Sequence, residues 1–427
     1  VYKRQVFVPN ALPNEEIEYK LIKVNKNFAI GKLLEIHKES AERVTPPCVY
    51  YNKCGGCQLQ HLDYQSQLTM KRNQVVNLFH RKGKFEQTVI NDTIGMMNPW
   101  NYRNKSQIPV GLNKEQDAIM GFYRQRSHDI IDMDECIIQD SIQNQLMRSI
   151  RALLKEHDVS IYNERKKQGL LRHVIIRVGH VSREVMIIFV TNGKKFKQAK
   201  PIVEKLVNAM PNIKSVIQNI NETHSNVIMG KTSKTLYGKD EIIDELDSVE
   251  FEISDQSFYQ INSSQTVKLY NQAMKYAQLT GEETVLDTYC GIGTIGLYMA
   301  DKAKHVYGVE VVPAAIEDAK KNAQLNGYDN TTFVCGKAES VILDWKQQGI
   351  QPDVVMVDPP RKGCDETFLN TLLELNPKRI VYISCNPATQ QRDAQILAQN
   401  YALKEITPVD MFPQTTHIET VALFERL

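Results

Sequence analysis

Residues 283–297 read Glu283-Thr284-Val285-Leu286-Asp287-Thr288-Tyr289-Cys290-Gly291-Ile292-Gly293-Thr294-Ile295-Gly296-Leu297. The apolar run predicts a short strand, and the glycines after it predict a tight turn that opens a helix reaching about residue 300. Glycines let a cofactor approach the backbone closely, and the free N–H groups of a helix start can contact it. The stretch therefore predicts the cofactor-binding turn of an α/β fold.

Further strands are predicted at residues 305–310, 353–358 and 379–384, with helical segments such as residues 314–326 between them. Strands that alternate with helices predict a doubly wound, parallel sheet of the Rossmann-like kind. Ligands of such sheets bind outside the carboxyl ends of the strands. Glu310, Asp358 and Cys385 stand at such ends and are therefore candidate site residues.

The glycine turn alone leaves two cofactor classes open. Gly291, Gly293 and Gly296 match the dinucleotide fingerprint, which would indicate a nicotinamide-dependent oxidoreductase. Glu310 lies where an acid accepts hydrogen bonds from two ribose hydroxyls, which suits either class. Asp287 just before the turn, and two strand-like runs near the C-terminus at residues 402–407 and 419–425, favour a nucleoside without a pyrophosphate. A terminal hairpin of this kind resembles the class I S-adenosylmethionine-dependent methyltransferases.

Three motifs sharpen the resemblance. They are Asp358-Pro359-Pro360-Arg361-Lys362-Gly363, Ser384-Cys385-Asn386-Pro387-Ala388-Thr389 and Met411-Phe412-Pro413-Gln414-Thr415-Thr416-His417-Ile418-Glu419. In this order they are similar to the RNA uracil-5-methyltransferases, specifically the bacterial 23S ribosomal RNA type. The resemblance implies a class I methyltransferase domain that transfers a methyl group from S-adenosylmethionine to carbon 5 of uridine.

The chemistry of that reaction explains two of the residues. Carbon 5 of uracil is a poor nucleophile, but a thiolate that adds to carbon 6 turns the ring into an enolate. A base must then remove the proton from carbon 5 so that the thiol can leave. The resemblance implies that Cys385 is the nucleophile and Glu419 the base, and that the cofactor is bound by Gln260, Tyr289, Glu310 and Asp358.

A second set of cysteines lies far from the glycine turn. Cys48, Cys54 and Cys57 form a Cys-x5-Cys-Gly-Gly-Cys pattern, and Cys136 is a more distant candidate. Four thiolates can hold zinc or an iron–sulfur cluster. Zinc sites more often use two short paired spacings, and this arrangement resembles the 4Fe-4S site of the same methyltransferases. We expect a 4Fe-4S cluster, with zinc as the alternative.

The charge of the 427-residue chain is unevenly distributed, although its net charge is only +2. Residues 1–250 carry 37 Lys and Arg against 28 Asp and Glu, whereas residues 251–427 carry 15 against 22. A basic N-terminal part and an acidic C-terminal part are typical of a protein that binds RNA through accessory domains. No apolar run is long enough to span a membrane. We expect a monomer that acts in the cytoplasm.

The resemblance also divides the chain into domains. Residues 1–45 resemble the later part of a TRAM domain, a small RNA-binding β-barrel. The chain starts at a valine rather than a methionine, and the usual first strands of the barrel are not recognised, so we expect an incomplete barrel. Residues 46–60 and 94–250 would form a central α+β domain with the cysteine site and an antiparallel sheet. Residues 61–93, with an amphipathic helix at 64–80, would join residues 251–427 in the catalytic domain.

The substrate and the activity itself leave alternatives open. The TRAM-like segment with the cysteine set favours 23S ribosomal RNA as the partner, although relatives of this layout include transfer-RNA enzymes. A non-enzymatic RNA-binding protein with a decayed methyltransferase domain is a further alternative. The intact set of Gln260, Glu310, Asp358, Cys385 and Glu419 argues against it.

Overall fold

A small open sheet begins the chain in the computed structural model, which describes residues 5–427. Its strands are β1 (Gln5–Phe7), β2 (Glu16–Val24) and β3 (Phe28–Lys38). Strand β3 pairs in parallel with β1 and antiparallel with β2. Side chains such as Leu21, Ile22 and Leu34 are more than half exposed, so this part is an open sheet rather than a closed barrel. The first four residues of the predicted barrel segment, 1–45, lie outside the described residues.

The next elements connect the small sheet to the rest of the molecule. They are α1 (Tyr64–Val76), which runs into a π-helical turn (Asn77–Lys82), and the short strand β4 (Val89–Ile90). The predicted amphipathic helix is present, but its buried face carries Gln67 and Lys71 beside the apolar Leu68 and Val75. Both polar side chains can be buried because each has a polar partner hundreds of residues away in sequence, Gln414 for Gln67 and Asp410 for Lys71.

The central part of the chain is built on a seven-stranded sheet. Its elements are β5 (Lys105–Leu112), β6 (Ala118–Tyr123), β7 (Ile130–Asp132), α2 (Ser141–Glu156), β8 (Leu171–Val178), β9 (Val185–Thr191), α3 (Ala199–Ala209), β10 (Ile213–Ile220) and β11 (Thr232–Gly238). The strand order is β11-β10-β9-β8-β5-β6-β7. The prediction of an antiparallel sheet is wrong for one pair, because helix α3 crosses over between β9 and β10 and makes them parallel.

A hairpin separates this sheet from the cofactor-binding part. It consists of β12 (Glu241–Leu246) and β13 (Val249–Ser254), which pair with each other along their whole length. The expected domain boundary at residue 250 falls inside β13. A boundary ahead of β12 keeps both strands on one side, and buried hairpin side chains such as Phe251 share a core with helices α4 (Ser263–Ala277) and α6 (Pro313–Leu325).

The C-terminal part is an eight-stranded α/β sheet. Its remaining elements are β14 (Thr284–Thr288), α5 (Thr294–Ala300), β15 (His305–Glu310), β16 (Thr331–Cys335), α7 (Ala338–Gln347), β17 (Val354–Val357), α8 (Glu366–Leu375), β18 (Arg379–Ser384), α9 (Pro387–Leu397), β19 (Tyr401–Val409) and β20 (Glu419–Arg426). The order is β16-β15-β14-β17-β18-β20-β19-β4. The α/β prediction is confirmed: β14 to β18 are parallel, and the expected terminal hairpin adds β20 antiparallel to β18.

Two hydrophobic cores cover the two faces of this sheet. One contains residues of α4, α5 and α6, such as Leu269 and Ile316, and the other contains residues of α7, α8 and α9, such as Phe368 and Leu397. With both faces covered, ligands can reach the sheet only at its edges and ends. Within residues 5–427, no helix combines the length and the apolar character needed to cross a membrane.

Candidate active site and cysteine site

The glycine-rich turn after β14 is held open by left-handed backbone conformations. Tyr289, Gly291 and Gly293 have φ angles of 61°, 56° and 82°. A Cβ atom added to Gly291 would meet nothing within 4 Å, so the turn leaves free space beside the backbone. The buried Asp287 carboxylate accepts a hydrogen bond of 2.8 Å from the Gly296 N–H. Burial raises the pKa of Asp287 to about 8. Asp287 therefore links the first turn of α5 to the end of β14 through this hydrogen bond.

Tyr289 and Glu310 flank this turn. The Tyr289 ring packs at 5.3 Å from the ring of Phe368. The Glu310 carboxylate, at the end of β15, uses Oε1 to accept hydrogen bonds from the N–H groups of Val311 (2.8 Å) and Val312 (3.0 Å). These two hydrogen bonds fix the carboxylate at the carboxyl end of the strand. Its other oxygen, Oε2, accepts from neither of these N–H groups.

Gln260 lies in the connection between β13 and α4. Its carbonyl accepts a hydrogen bond of 2.8 Å from the Asn104 side chain of the central part. Two residues later, Asn262 caps α4 by accepting from Gln265 N–H and donates to the Met411 carbonyl at 3.0 Å. The Gln260 segment is thus fixed between the central part and the loop that precedes Glu419.

Cys385 and Glu419 stand opposite each other at the end of a strand pair. In the β18–β20 register Ser384 faces Thr420, so the next positions along the two strands are Cys385 and Glu419. Asp358 follows β17, the other neighbour of β18. Three side chains separated by up to 61 positions in sequence therefore meet at one edge of the sheet.

Burial and mutual repulsion shift the protonation of these three groups. Burial, and then the charges of Glu419 and Asp358, raise the pKa of the Cys385 thiol to about 11. Burial raises the pKa of Asp358 to about 7, and burial with the charge of Asp358 holds the pKa of Glu419 well above its usual range. A carboxylate with a raised pKa is a stronger base once it has lost its proton. The arrangement suits proton exchange beside a thiol nucleophile.

The loop between β19 and β20, residues 410–418, leads directly into Glu419. At its start, Asp410 forms a fully buried ion pair with Lys71 of α1 at 2.5 Å and accepts a hydrogen bond of 2.8 Å from the Tyr64 hydroxyl. Sequence reasoning missed Lys71 and Asp410, because 339 positions separate them. The one available signal was Asp410 directly before the Met411 motif.

The four cysteines of the second set line one cavity of about 430 Å³. Cys136, distant in sequence, is placed there by hydrogen bonds between its backbone and the Asn144 side chain. Burial raises the pKa of Cys57 to about 12 and that of Cys136 to about 11, and the neighbouring thiols add to both shifts. Arg103 lines the same cavity and brings positive charge to a site of four potential thiolates. Lys105 lines it too, but burial and the charges of Arg177 and Arg103 lower its pKa to about 7.

The comparisons with known proteins identify the family. A family model described as tRNA (Uracil-5-)-methyltransferase matches residues 63–427. The chain belongs to this uracil-5-methyltransferase family. The family membership predicted from the three motifs is confirmed. Of the two cofactor classes that the glycine turn left open, the family match favours the methyltransferases over the oxidoreductases.

Named relatives and a solved structure place the chain further among RNA methyltransferases. It is 69% identical, over 98% of its length and 92% of the relative, to an uncharacterized RNA methyltransferase of Staphylococcus aureus strain MSSA476. It is 70% identical, over 99% and 92%, to an uncharacterized RNA methyltransferase of Staphylococcus epidermidis strain ATCC 12228. The crystal structure of Pyrococcus abyssi tRNA (uracil-54, C5)-methyltransferase with S-adenosyl-L-homocysteine superposes with a TM-score of 0.81 at 29% identity, covering 98% of this chain and 95% of that one. The chain is an S-adenosylmethionine-dependent RNA methyltransferase of the uracil-5 family.

Proposed function

We propose that the protein methylates carbon 5 of uridine in RNA with Cys385 as nucleophile and Glu419 as base. The observation that carries the proposal is that these two positions lie opposite each other at the end of the β18–β20 pair, with Asp358 directly after the neighbouring strand β17. A covalent mechanism needs a thiol and a separate base within reach of one ring.

The reaction needs these two residues and the bound methyl donor. The Cys385 thiol gives its proton to solvent, and the thiolate forms a bond to carbon 6 of uracil, so that the ring becomes an enolate. Bound S-adenosylmethionine supplies a methyl group on a positively charged sulfur; carbon 5 takes that methyl group, and S-adenosylhomocysteine is left. Glu419 then removes the proton from carbon 5, the double bond between carbons 5 and 6 re-forms, and the bond from Cys385 to carbon 6 breaks.

The residues around the glycine turn fit the methyl donor. We propose that Glu310 binds the ribose hydroxyls through Oε2, because its Oε1 is already engaged by two backbone N–H groups. Tyr289 would contact the nucleoside beside the open turn, Gln260 the methionine moiety, and Asp358 the part nearest to the uracil. The free space beside Gly291 supports this placement, since a cofactor can approach the backbone there.

We further propose that Cys48, Cys54, Cys57 and Cys136 hold a 4Fe-4S cluster. A tetrahedral zinc site with Zn–S bonds of about 2.3 Å brings its sulfurs to about 3.8 Å from one another. In this structure no three of the four thiol sulfurs lie within 4.8 Å of one another. Among the described residues, that condition is met by Glu18, Glu35 and His37 instead. The wider thiol spacing and the cavity volume support a larger cluster. Methyl transfer needs no electron, so we assign the cluster a structural role.

Replacing any one of the four cysteines by serine should remove the iron and lower stability, because the metal site would lose a ligand. Anaerobically purified wild-type protein should contain about four irons per chain. Iron and zinc are measured by elemental analysis, and stability by thermal unfolding. Cys335→Ser, at the exposed end of β16, is the matched control and should keep its iron. Stoichiometric zinc without iron would refute the assignment.

We propose that residues 1–45 form a TRAM-like domain that contacts RNA through the sheet of residues 5–38. This sheet presents exposed lysines, among them Lys20, Lys23 and Lys32. In the domain organisation that we propose, it is followed by the central cysteine domain and the catalytic domain. The basic excess of residues 1–250 supports an RNA-binding role for both accessory domains.

The triple variant Lys20→Gln/Lys23→Gln/Lys32→Gln should bind RNA more weakly and with a flatter salt dependence. Each lost phosphate contact should reduce the log–log slope of affinity against salt by roughly 0.7 to 0.9. Fluorescence anisotropy at several salt concentrations measures the slope. Lys302→Gln, exposed after α5, is the control. An unchanged slope in the triple variant would show that this sheet does not hold the RNA backbone.

The substrate that we propose is 23S ribosomal RNA, methylated in the cytoplasm by a monomer. The TRAM-like sheet together with the cysteine site supports it. Transfer RNA is the second candidate, because the family description and the Pyrococcus abyssi neighbour name it. Mass spectrometry of 5-methyluridine in ribosomal and transfer RNA from a deletion strain tests both. Loss from 23S RNA alone is the expected result, and loss from neither RNA would overturn the proposed activity.

A further inference from the structure

The 410–418 loop that leads into Glu419 also contacts the cysteine site. The backbone N–H groups of Gln58 and Leu59, directly after Cys57, both donate to the Gln414 carbonyl, at 2.9 and 3.0 Å. One carbonyl of the loop is therefore held by two residues adjacent to a candidate metal ligand. Five positions separate Gln414 from Glu419.

Gln67 of α1 completes this contact. Its Nε2 donates to the Leu59 carbonyl and to Gln414 Oε1, both at 3.0 Å, and its Oε1 accepts from the Gln414 N–H at 3.2 Å. Gln67 is 1% exposed and Gln414 2%. Gln414 has a φ of 69°, a left-handed conformation that is uncommon for non-glycine residues. These contacts therefore hold the loop in a conformation that it would not prefer by itself.

The rest of the loop is anchored independently of the cysteines. Asp410 pairs with Lys71, and the Tyr102 hydroxyl donates to the Pro413 carbonyl at 3.0 Å. By contrast, residues 48–60 form turns and a single bridge but no helix or strand. Backbone hydrogen bonds join Gly55 to Tyr123 and Lys53 to Gln125. Bonds from the four thiols to a common centre would add a covalent cross-link to this segment, and with it to the donors to Gln414.

We propose that the filled cysteine site positions the catalytic base: it fixes residues 57–59, these fix Gln414 together with Gln67, and Gln414 fixes the approach of Glu419 to carbon 5. Gln67 is thereby a positioning residue for a reaction that it does not touch. The inference rests on the metal centre proposed above, and it gives that centre a task in the last step of the reaction.

Hydrogen–deuterium exchange tests the coupling directly. In wild-type protein, chelating the metal should speed exchange of the amides of residues 57–59 and of the 410–418 loop together, by about tenfold for the Gln414 N–H, since its partners lose their anchor. Metal content, measured on the same samples, tests the metal centre separately. Loss of metal that loosens residues 48–59 but leaves the loop unchanged would overturn the coupling without affecting the metal assignment.

Two variants test the same link in the metal-loaded protein. Gln67→Met removes the hydrogen bonds at similar length, and Gln414→Gly removes only the side-chain contact, because glycine tolerates the φ of 69°. Both should keep their metal and form the adduct with 5-fluorouridine RNA at the normal rate. Both should release ordinary methylated RNA about tenfold more slowly and accumulate the covalent complex. Gln74→Met, exposed on the same helix, should behave as wild type. Normal release and normal loop exchange in both variants would overturn the proposal.

Discussion

Cys385→Ala should lose uridine methylation on the order of 10⁴-fold or more while it still binds S-adenosylmethionine. The thiol is the atom that activates carbon 5, and no other nucleophile stands opposite Glu419 at the end of the β18–β20 pair. The residues proposed for the cofactor, such as Glu310 on β15, are unchanged in the variant. Transfer of a radiolabelled methyl group measures the activity, and calorimetric titration with S-adenosylhomocysteine measures the cofactor site.

Cys335→Ala provides the matched control, because Cys335 is an exposed cysteine at the end of β16 in the same sheet. It should retain full activity. Appreciable turnover by Cys385→Ala would contradict the covalent mechanism, whereas loss of cofactor binding would show that the substitution damages the site rather than the nucleophile alone.

Glu419→Gln should trap the covalent complex on ordinary, unfluorinated RNA. Addition of Cys385 and methyl transfer to carbon 5 do not require Glu419, but removal of the carbon 5 proton does. Glutamine keeps the shape of the side chain and loses its basicity, so resolution should slow by about 10²–10⁴-fold. Denaturing gels detect the complex, and intact mass spectrometry should find the added methyl group in it.

The control for this variant is Glu425→Gln, a partly exposed acid at the opposite end of β20. It should turn over normally and accumulate no complex. Normal turnover by Glu419→Gln would show that another group is the base. The first candidate would be Asp358, whose charge already acts on Glu419. A Glu419→Gln protein that forms no complex at all would mean that Glu419 acts before methyl transfer.

The sheet and one edge of the site could be predicted from the sequence because their signals are local. Apolar runs that end in a glycine turn, in Glu310, in Asp358 or in Cys385 mark parallel strands, and the carboxyl ends of such strands meet. Strand and helix bounds came within a few residues of those observed, for example 402–407 for Tyr401–Val409. The roles of the side chains at this edge remain predictions.

What the sequence did not reveal depends on contacts between distant polar groups. The Lys71–Asp410 pair and the Gln67–Gln414 bonds join residues more than 300 positions apart, and buried polar partners leave no periodic pattern. The same contacts give α1 a partly polar buried face, where an amphipathic helix was predicted. The parallel β9–β10 pair was missed because the intervening helix α3 was not recognised, and because polar residues interrupt the apolar pattern of β10. The contacts that hold the 410–418 loop, which leads into Glu419, are therefore known only from the structure.

The most direct test of covalent catalysis is peptide mass spectrometry of the wild-type protein after reaction with 5-fluorouridine RNA and S-adenosylmethionine. Fluorine on carbon 5 cannot be removed as a proton, so the complex should persist after the methyl group is transferred. We predict one modified peptide, in which Cys385 carries a nucleotide with both fluorine and the added methyl group. A modification at any other residue, or methylated RNA with no protein adduct, would contradict the mechanism.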